Sequence, residues 1–281
     1  MGGSTPIALD QRIDLWLETV PILLKHLQVE HVSIISHSAG TMYAFNTIYR
    51  LRSLLDPKAP YAALIAPWVP SAHSHAALMS VATSLPAGVI NSWGPTLRFV
   101  NSRVMPVTSW SGGIVSSLGT VFSSSDSNAG VESDSPAEHF GVSDDKIADQ
   151  INKLHSKYKF AEDISAVNED AKLCANKGGP ESWGVCSNYE TYVQDLARKE
   201  RDGVAAGGAK LKVNMFFAES DVMIGEGGRK YLEQCWRQDG VADTIEFRSE
   251  VLLGTDHDSA MGDNVKGALR KVLERVKQGS Q

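Results

Sequence analysis

A serine that could act as a nucleophile stands at position 38. There the β-branched run Val32-Ser33-Ile34-Ile35 passes through Ser36-His37-Ser38-Ala39-Gly40 into the helix-forming Thr41-Met42-Tyr43-Ala44-Phe45. A serine at the tip of such a sharp strand-to-helix turn must accept a strained backbone, and the helix start crowds its neighbours. Small residues are therefore needed two positions before and after it. Ser36 and Gly40 meet that need. The same turn aims the backbone N–H of Ala39 and the helix N-terminus at any oxyanion formed on Ser38. The plain alternative is a buried strand followed by a surface serine, since a small-x-Ser-x-Gly pattern is short enough to arise by chance.

A neutral serine hydroxyl is too weak a nucleophile alone; it needs a base, and the base needs an orienting acid. Two later apolar runs end in suitable groups. Leu211-Lys212-Val213-Asn214-Met215-Phe216-Phe217 leads into Ala218-Glu219-Ser220-Asp221, and Val251-Leu252-Leu253 leads into Gly254-Thr255-Asp256-His257-Asp258. Asp221 is read as the acid, with Glu219 its rival, and His257 as the base. The competing reading of His257 is a surface histidine capping the last helix. Asp256 and Asp258 read as turn formers, because Asp-His-Asp without a distant fourth ligand is a weak metal signature. His37 is read as packing beneath the turn, and His73 and His75 as loop histidines in solvent.

The elements that must position these groups follow from periodicity. Ile13, Trp16, Leu17, Val20, Leu23, Leu24 and Leu27 fall at spacings of three and four, which predicts a helix over residues 10–27 with Asp10 as its N-cap and a kink at Pro21. Ala62-Ala63-Leu64-Ile65 reads as a second buried strand. From Pro70 to about Asp202 the alternation stops: helical stretches at 76–83 and 144–158 flank a Ser/Gly-rich loop at 109–135. It resumes with the run from Leu211, a helix through Tyr231 to Trp236, strand-like Thr244 to Phe247 with Val251 to Leu253, and a last helix over 262–277. Strands divided by helices imply a parallel sheet.

Bulk properties exclude several classes of function. The chain has 281 residues, is 42% hydrophobic and carries a net charge of −6. It can bury a full core, and it offers no long-range attraction to phosphate backbones or anionic lipid, so nucleic acid is not an expected partner. No apolar run approaches the roughly 18 to 20 residues of a membrane span. Three cysteines, Cys174, Cys186 and Cys235, support neither a disulfide scaffold nor a structural zinc, and a reducing, cytoplasmic setting is the default. A Cys174–Cys186 bridge across the intervening Gly-Gly-Pro turn stays open.

With Ser38, Asp221 and His257 in that order at successive strand ends, the chain resembles the α/β-hydrolases. The resemblance implies an α/β fold with a mostly parallel sheet, whose core comprises residues 1–70 and 203–281 and whose helical cap is inserted over 71–202. It implies that Ser38 is the nucleophile, His257 the general base and then acid, Asp221 the orienting acid and Ala39 one oxyanion donor. A serine nucleophile points to carboxylic ester hydrolysis on a small apolar ester without metal or organic cofactor, rather than to the epoxide or haloalkane chemistry that uses aspartate; amide and lyase chemistry stay open. Trp68, Trp93, Trp110 and Trp183 fall at or within the cap, either lining an apolar pocket or packing it.

Met1-Gly2-Gly3-Ser4-Thr5-Pro6 is similar to the tail of the family's Asp-x-x-Gly-x-Gly-x-Ser stretch after the fourth strand. The fold is therefore expected to be N-terminally truncated, without the loop whose His-Gly pair supplies a second oxyanion N–H. Loss of one such donor costs about 2.7 to 4 kcal/mol of transition-state stabilisation. The strand before Ser38 is expected to be an exposed edge that favours self-association. An inactive, hydrolase-like protein that binds a hydrophobic ligand or partner is the alternative function.

Overall fold

Among the described residues four strands, β1 (Ile34–His37), β2 (Tyr61–Ile65), β3 (Leu211–Ala218) and β4 (Ile245–Leu252), form one sheet in the order β1-β2-β3-β4, and every neighbouring pair is parallel. The computed structural model describes residues 5–74, 165–263 and 265–279, with isolated positions between 146 and 158. The expected helix at 76–83, the loop at 109–135, most of the expected helix at 144–158, and His75, Trp93 and Trp110 lie outside the described residues.

A parallel strand buries both faces, so its side chains divide alternately between two cores. Ala62 and Leu64 of β2 join Leu211, Val213, Met215 and Phe217 of β3 in the larger cluster. Tyr61, Ala63 and Ile65 join Phe216 and Ala218 in the smaller one. The one polar side chain buried in β3, Asn214, donates its amide to the Tyr61 hydroxyl at 2.9 Å, which satisfies it within the apolar layer. Among the described residues β1 is an edge of the sheet and only half-buried.

Helices cover both faces. On the larger-cluster side lie α1 (Arg12–His26), α2 (Gly40–Arg50), α4 (Ser165–Cys174), α5 (Tyr189–Ala205) and α6 (Gly225–Trp236); the one-turn α3 (Ser71–Ser74) packs on α6. On the other side α8 (Ala268–Gly279), preceded by the one-turn α7 (Ser259–Gly262), sets Ala268 and Val272 against Ile65 and Phe216. Phe45 of α2 is enclosed by aromatic rings, 4.9 Å from Tyr192 and 5.5 Å from Trp236 between centroids. Burial of each such side chain is worth about 1.5 to 3 kcal/mol.

The structure corrects two expectations, at the start of α1 and at His73. Asp10 does not cap the first helix: it sits in a 3₁₀ turn, Leu9–Gln11, and α1 starts at Arg12 with no side-chain cap. Arg12 instead pairs with Asp170 of α4, tying the two helices together, and α1 runs on through Pro21 to His26. His73 is not a solvated loop residue but stacks on Tyr231 of α6, 3.7 Å between ring centroids. Residues 189–202 lie in α5, whose Tyr189, Tyr192, Val193 and Leu196 pack in the same cluster as α2 and β3. Cys174, Cys186 and Cys235 are all free thiols, so the possible Cys174–Cys186 bridge is not formed.

The chain returning from residues 75–164 is pinned to α2 by one buried amide. Asn46 donates to the carbonyls of Met42 and Trp183 at 2.8 and 2.9 Å and accepts from the Val185 N–H at 3.1 Å. Between Trp183 and Val185 the backbone passes so close that a Cβ on Gly184 would lie 2.2 Å from the Asn46 Oδ1, and Gly184 has φ +57° and ψ −127°, a conformation open to glycine. Gly184→Ala is therefore expected to destabilise the fold by at least the roughly 1 to 3 kcal/mol of backbone strain alone. The urea midpoint should fall accordingly; an unchanged midpoint contradicts the clamp.

Candidate active site

The turn after β1 has the strained geometry its sequence requires. Ser38 sits at φ +52°, in the left-handed region that β-substituted residues avoid. Backbone hydrogen bonds hold it there, among them one from the Trp68 N–H to the Ser38 carbonyl at 3.3 Å. Its N–H donates to the Ile65 carbonyl at 3.0 Å, which extends the β1–β2 ladder, while its carbonyl accepts from the Thr41 N–H at 3.0 Å and the Thr41 hydroxyl at 2.7 Å. The Thr41 hydroxyl in turn accepts from the Trp68 N–H at 2.9 Å, locking the turn to the segment after β2. A Cβ on Gly40 would stand 3.3 Å from the Ser36 Cβ, so the helix start and the strand meet with no room for larger side chains. The N–H of Ala39 has no acceptor among the described residues and lies at the N-terminus of α2.

Asp221 follows β3 by three residues. Its Oδ1 accepts from the N–H groups of Met223 and Ile224, both at 2.9 Å, which fixes the carboxylate plane and leaves Oδ2 facing the Nδ1 of His257 at 2.8 Å. The Nε2 of the same imidazole is 2.8 Å from the Ser38 Oγ. The structure thus joins the three residues picked out in the sequence into one continuous chain of hydrogen bonds, although 183 residues separate Ser38 from Asp221. With Nδ1–H donating to Asp221, Nε2 carries the lone pair that accepts the serine proton.

The loops bearing Asp221 and His257 are stitched together. The N–H of Glu219 donates to the Leu252 carbonyl, the N–H and hydroxyl of Ser220 both reach the Thr255 carbonyl at 3.1 Å, and the Gly254 N–H donates to the Glu219 carboxylate at 2.8 Å. Glu219, the rival acid, is therefore committed to the loop and does not touch the imidazole. Asp256 forms the turn expected of it: its Oδ1 accepts from the N–H of Asp258 and from the N–H and hydroxyl of Ser259. His257 is not a surface cap, with 2% of its surface exposed.

Burial is the largest influence on the His257 imidazole and opposes its protonation. The hydrogen bond and negative charge of Asp221, aided by Asp258 and Asp256, outweigh it and raise the pKa above the ordinary histidine value. Burial holds the thiols up, Cys235 to about 11, so none of the three cysteines is a thiolate competing with Ser38 at neutral pH. Among the described residues no cluster of side chains could hold a metal ion, and no helix is long and apolar enough to cross a membrane.

Two contributors escaped the sequence reading. Thr41 supports the turn through its hydroxyl; its signal was a Thr three residues past the serine, where a side chain can reach back to the turn's carbonyl. His37, read as packing beneath the turn, also donates its Nε2–H to the carbonyl oxygen of His257 at 2.8 Å. That contact spans 220 residues and has no local signal.

Parallel strands in sequential order, a positive-φ serine after the first of them, and an acid and a histidine past the third and fourth are the arrangement that the resemblance to the α/β-hydrolases implies. No family model matches the chain, and no curated protein matches it. Solved structures similar to it include a serine hydrolase from the polyaromatic-hydrocarbon-degrading bacterium Cycloclasticus zankles, at 12% identity and TM-score 0.45, covering 100% of this chain and 72% of that one. Homoserine O-acetyltransferase from Bacillus anthracis is similar at 13% identity and TM-score 0.46, over 96% of this chain and 65% of that one. An epoxide hydrolase from Bacillus megaterium is similar at 11% identity and TM-score 0.45, over 99% of this chain and 79% of that one.

Proposed function

We propose that the protein is a serine hydrolase that cleaves carboxylic esters through an acyl-enzyme on Ser38. The observation that carries this reading is the unbroken relay from Asp221 through His257 to a serine held at positive φ. His257 Nε2 takes the proton of the Ser38 hydroxyl as Oγ attacks the ester carbonyl, and the imidazolium so formed is stabilised by the Asp221 carboxylate. The Ala39 N–H, unclaimed within the described residues, donates to the tetrahedral oxyanion. Collapse breaks the bond to the alcohol oxygen, which leaves with the proton from His257. Water, deprotonated by the same nitrogen, then attacks the acyl-serine, and the carboxylic acid departs as Ser38 regains its proton.

Serine at the tip of the turn supports an acyl-enzyme over the alkyl-ester route that requires an aspartate there. A fluorophosphonate probe tests the reading, because it reacts with serines activated by a neighbouring base. Labelling should map to Ser38, disappear in Ser38→Ala and weaken sharply in His257→Ala. Folded wild-type protein that takes up no label supports the alternative, an inactive hydrolase-like protein that binds an apolar ligand.

The raised pKa of His257 fixes the acid side of the pH profile. Protonated His257 cannot accept the serine proton, so kcat/KM should fall as pH drops through that raised pKa, with its half-maximum above the ordinary histidine value of about 6.5. Rates of p-nitrophenyl acetate hydrolysis between pH 5 and 9 check this. A half-maximum clearly below 6.5 contradicts the Asp221 contribution.

A further inference from the structure

We infer that His37 is a positioning residue that sets the backbone of His257, and that its Nε2–H, rather than its bulk, is what the site requires. The inference rests on the serine hydrolase reading above and adds a residue to its machinery.

The imidazole of His257 needs two constraints to stay within reach of Ser38. Asp221 sets the ring through Nδ1, but a ring on a movable backbone can keep that bond and still swing its Nε2 away from the serine. The second constraint is the 2.8 Å hydrogen bond from His37 Nε2–H to the His257 carbonyl. Among the described residues that carbonyl receives no other hydrogen bond, and His257 is buried, so loss of the donor leaves an unpaired buried acceptor that the loop must move to satisfy.

Because His37 immediately precedes Ser38 on β1, the same residue carries the position of the serine. The bond from His37 to the carbonyl and the bond from Ser38 to Nε2 therefore bridge the same two segments side by side, closing a small ring across the site. The loop that receives this tether contains Gly254 at φ +69°, a backbone conformation that favours glycine. Burial foremost, then the nearby His257, lowers the pKa of His37, so the ring remains neutral beside the imidazolium formed during turnover. The two rings stand 5.0 Å apart between centroids, close enough for a second charge to penalise that imidazolium.

The test compares His37→Leu, which removes the donor, with His37→Gln, whose side-chain amide nitrogen can replace Nε2–H. His37→Asn, polar but too short to reach the carbonyl, provides a second donor-free variant should the leucine protein fail to fold. Kinetics on p-nitrophenyl acetate, with circular dichroism and thermal melts as folding controls, give the readout. Misplacement of a catalytic group by about 1 Å costs about a hundredfold. His37→Leu and His37→Asn should therefore lose about 10- to 100-fold in kcat with KM within about twofold of wild type, and His37→Gln should recover to within about threefold of wild type. Wild-type kcat in a donor-free variant, or a glutamine variant as impaired as leucine, overturns the inference and leaves the hydrolase reading standing. Absence of Ser38-dependent turnover in the wild type overturns both.

Discussion

Ser38→Ala is expected to lower kcat for ester hydrolysis about a million-fold, to a rate set by residual binding and the Ala39 N–H. The magnitude follows from what the substitution leaves behind. Alanine retains the turn, because the hydrogen bonds that hold it use the backbone N–H and carbonyl of residue 38 together with Thr41, not the Ser38 hydroxyl. Positive φ costs alanine about as much as serine, so the variant should melt close to wild type. With no hydroxyl, His257 and Asp221 remain paired but have no nucleophile to deprotonate. Steady-state rates on p-nitrophenyl acetate, measured on protein purified away from host esterases, check the outcome. Activity within a hundredfold of wild type contradicts the assignment.

Asp221→Asn should cost about ten-thousand-fold in kcat while leaving the backbone in place. Asp221 Oδ1 accepts two backbone N–H groups, so an asparagine must turn its carbonyl oxygen to Met223 and Ile224 and present its NH₂ to His257. That amide donates where the carboxylate accepted. It forces the imidazole into the tautomer with its proton on Nε2, and this nitrogen faces the Ser38 Oγ. A protonated Nε2 cannot accept the serine proton, so the base is lost through orientation as well as through loss of charge. The deficit should shrink at high pH, where hydroxide substitutes for the base. Activity within tenfold of wild type near pH 7 contradicts the relay.

The groups at the strand ends were legible in the sequence because a parallel sheet writes itself plainly: Ala62 to Ile65 is apolar on both faces, Leu211 to Phe217 is apolar but for Lys212 and Asn214, and the residues that follow lie past the C-terminal edge. Ser38, Asp221 and His257 could therefore be placed at one rim before any distance was known. β4 was less legible. It reads as two fragments because Arg248, Ser249 and Glu250 interrupt it, and the structure gives each a partner: Arg248 pairs with Glu246 on the same strand, Ser249 bonds Glu233 of α6, and Glu250 meets Lys271 and Arg275 of α8. The start of α1 was misplaced because Asp10 has the chemistry of a cap, yet the first helical turn is anchored by Arg12 to Asp170, a partner 158 residues away. The packing partner of α5 was not legible for a related reason. The stripe Tyr189, Tyr192, Val193 and Leu196 says that a helix is buried, and only the position of Phe45 and Trp236 says against what.

The most direct test is intact-mass analysis of the protein mixed rapidly with a p-nitrophenyl ester and quenched in acid during the initial burst of p-nitrophenol. The account predicts a gain of one acyl group, mapped by peptide digestion to Ser38 and lost again as free acid accumulates. Turnover with no adduct, or an adduct on a different side chain, contradicts it.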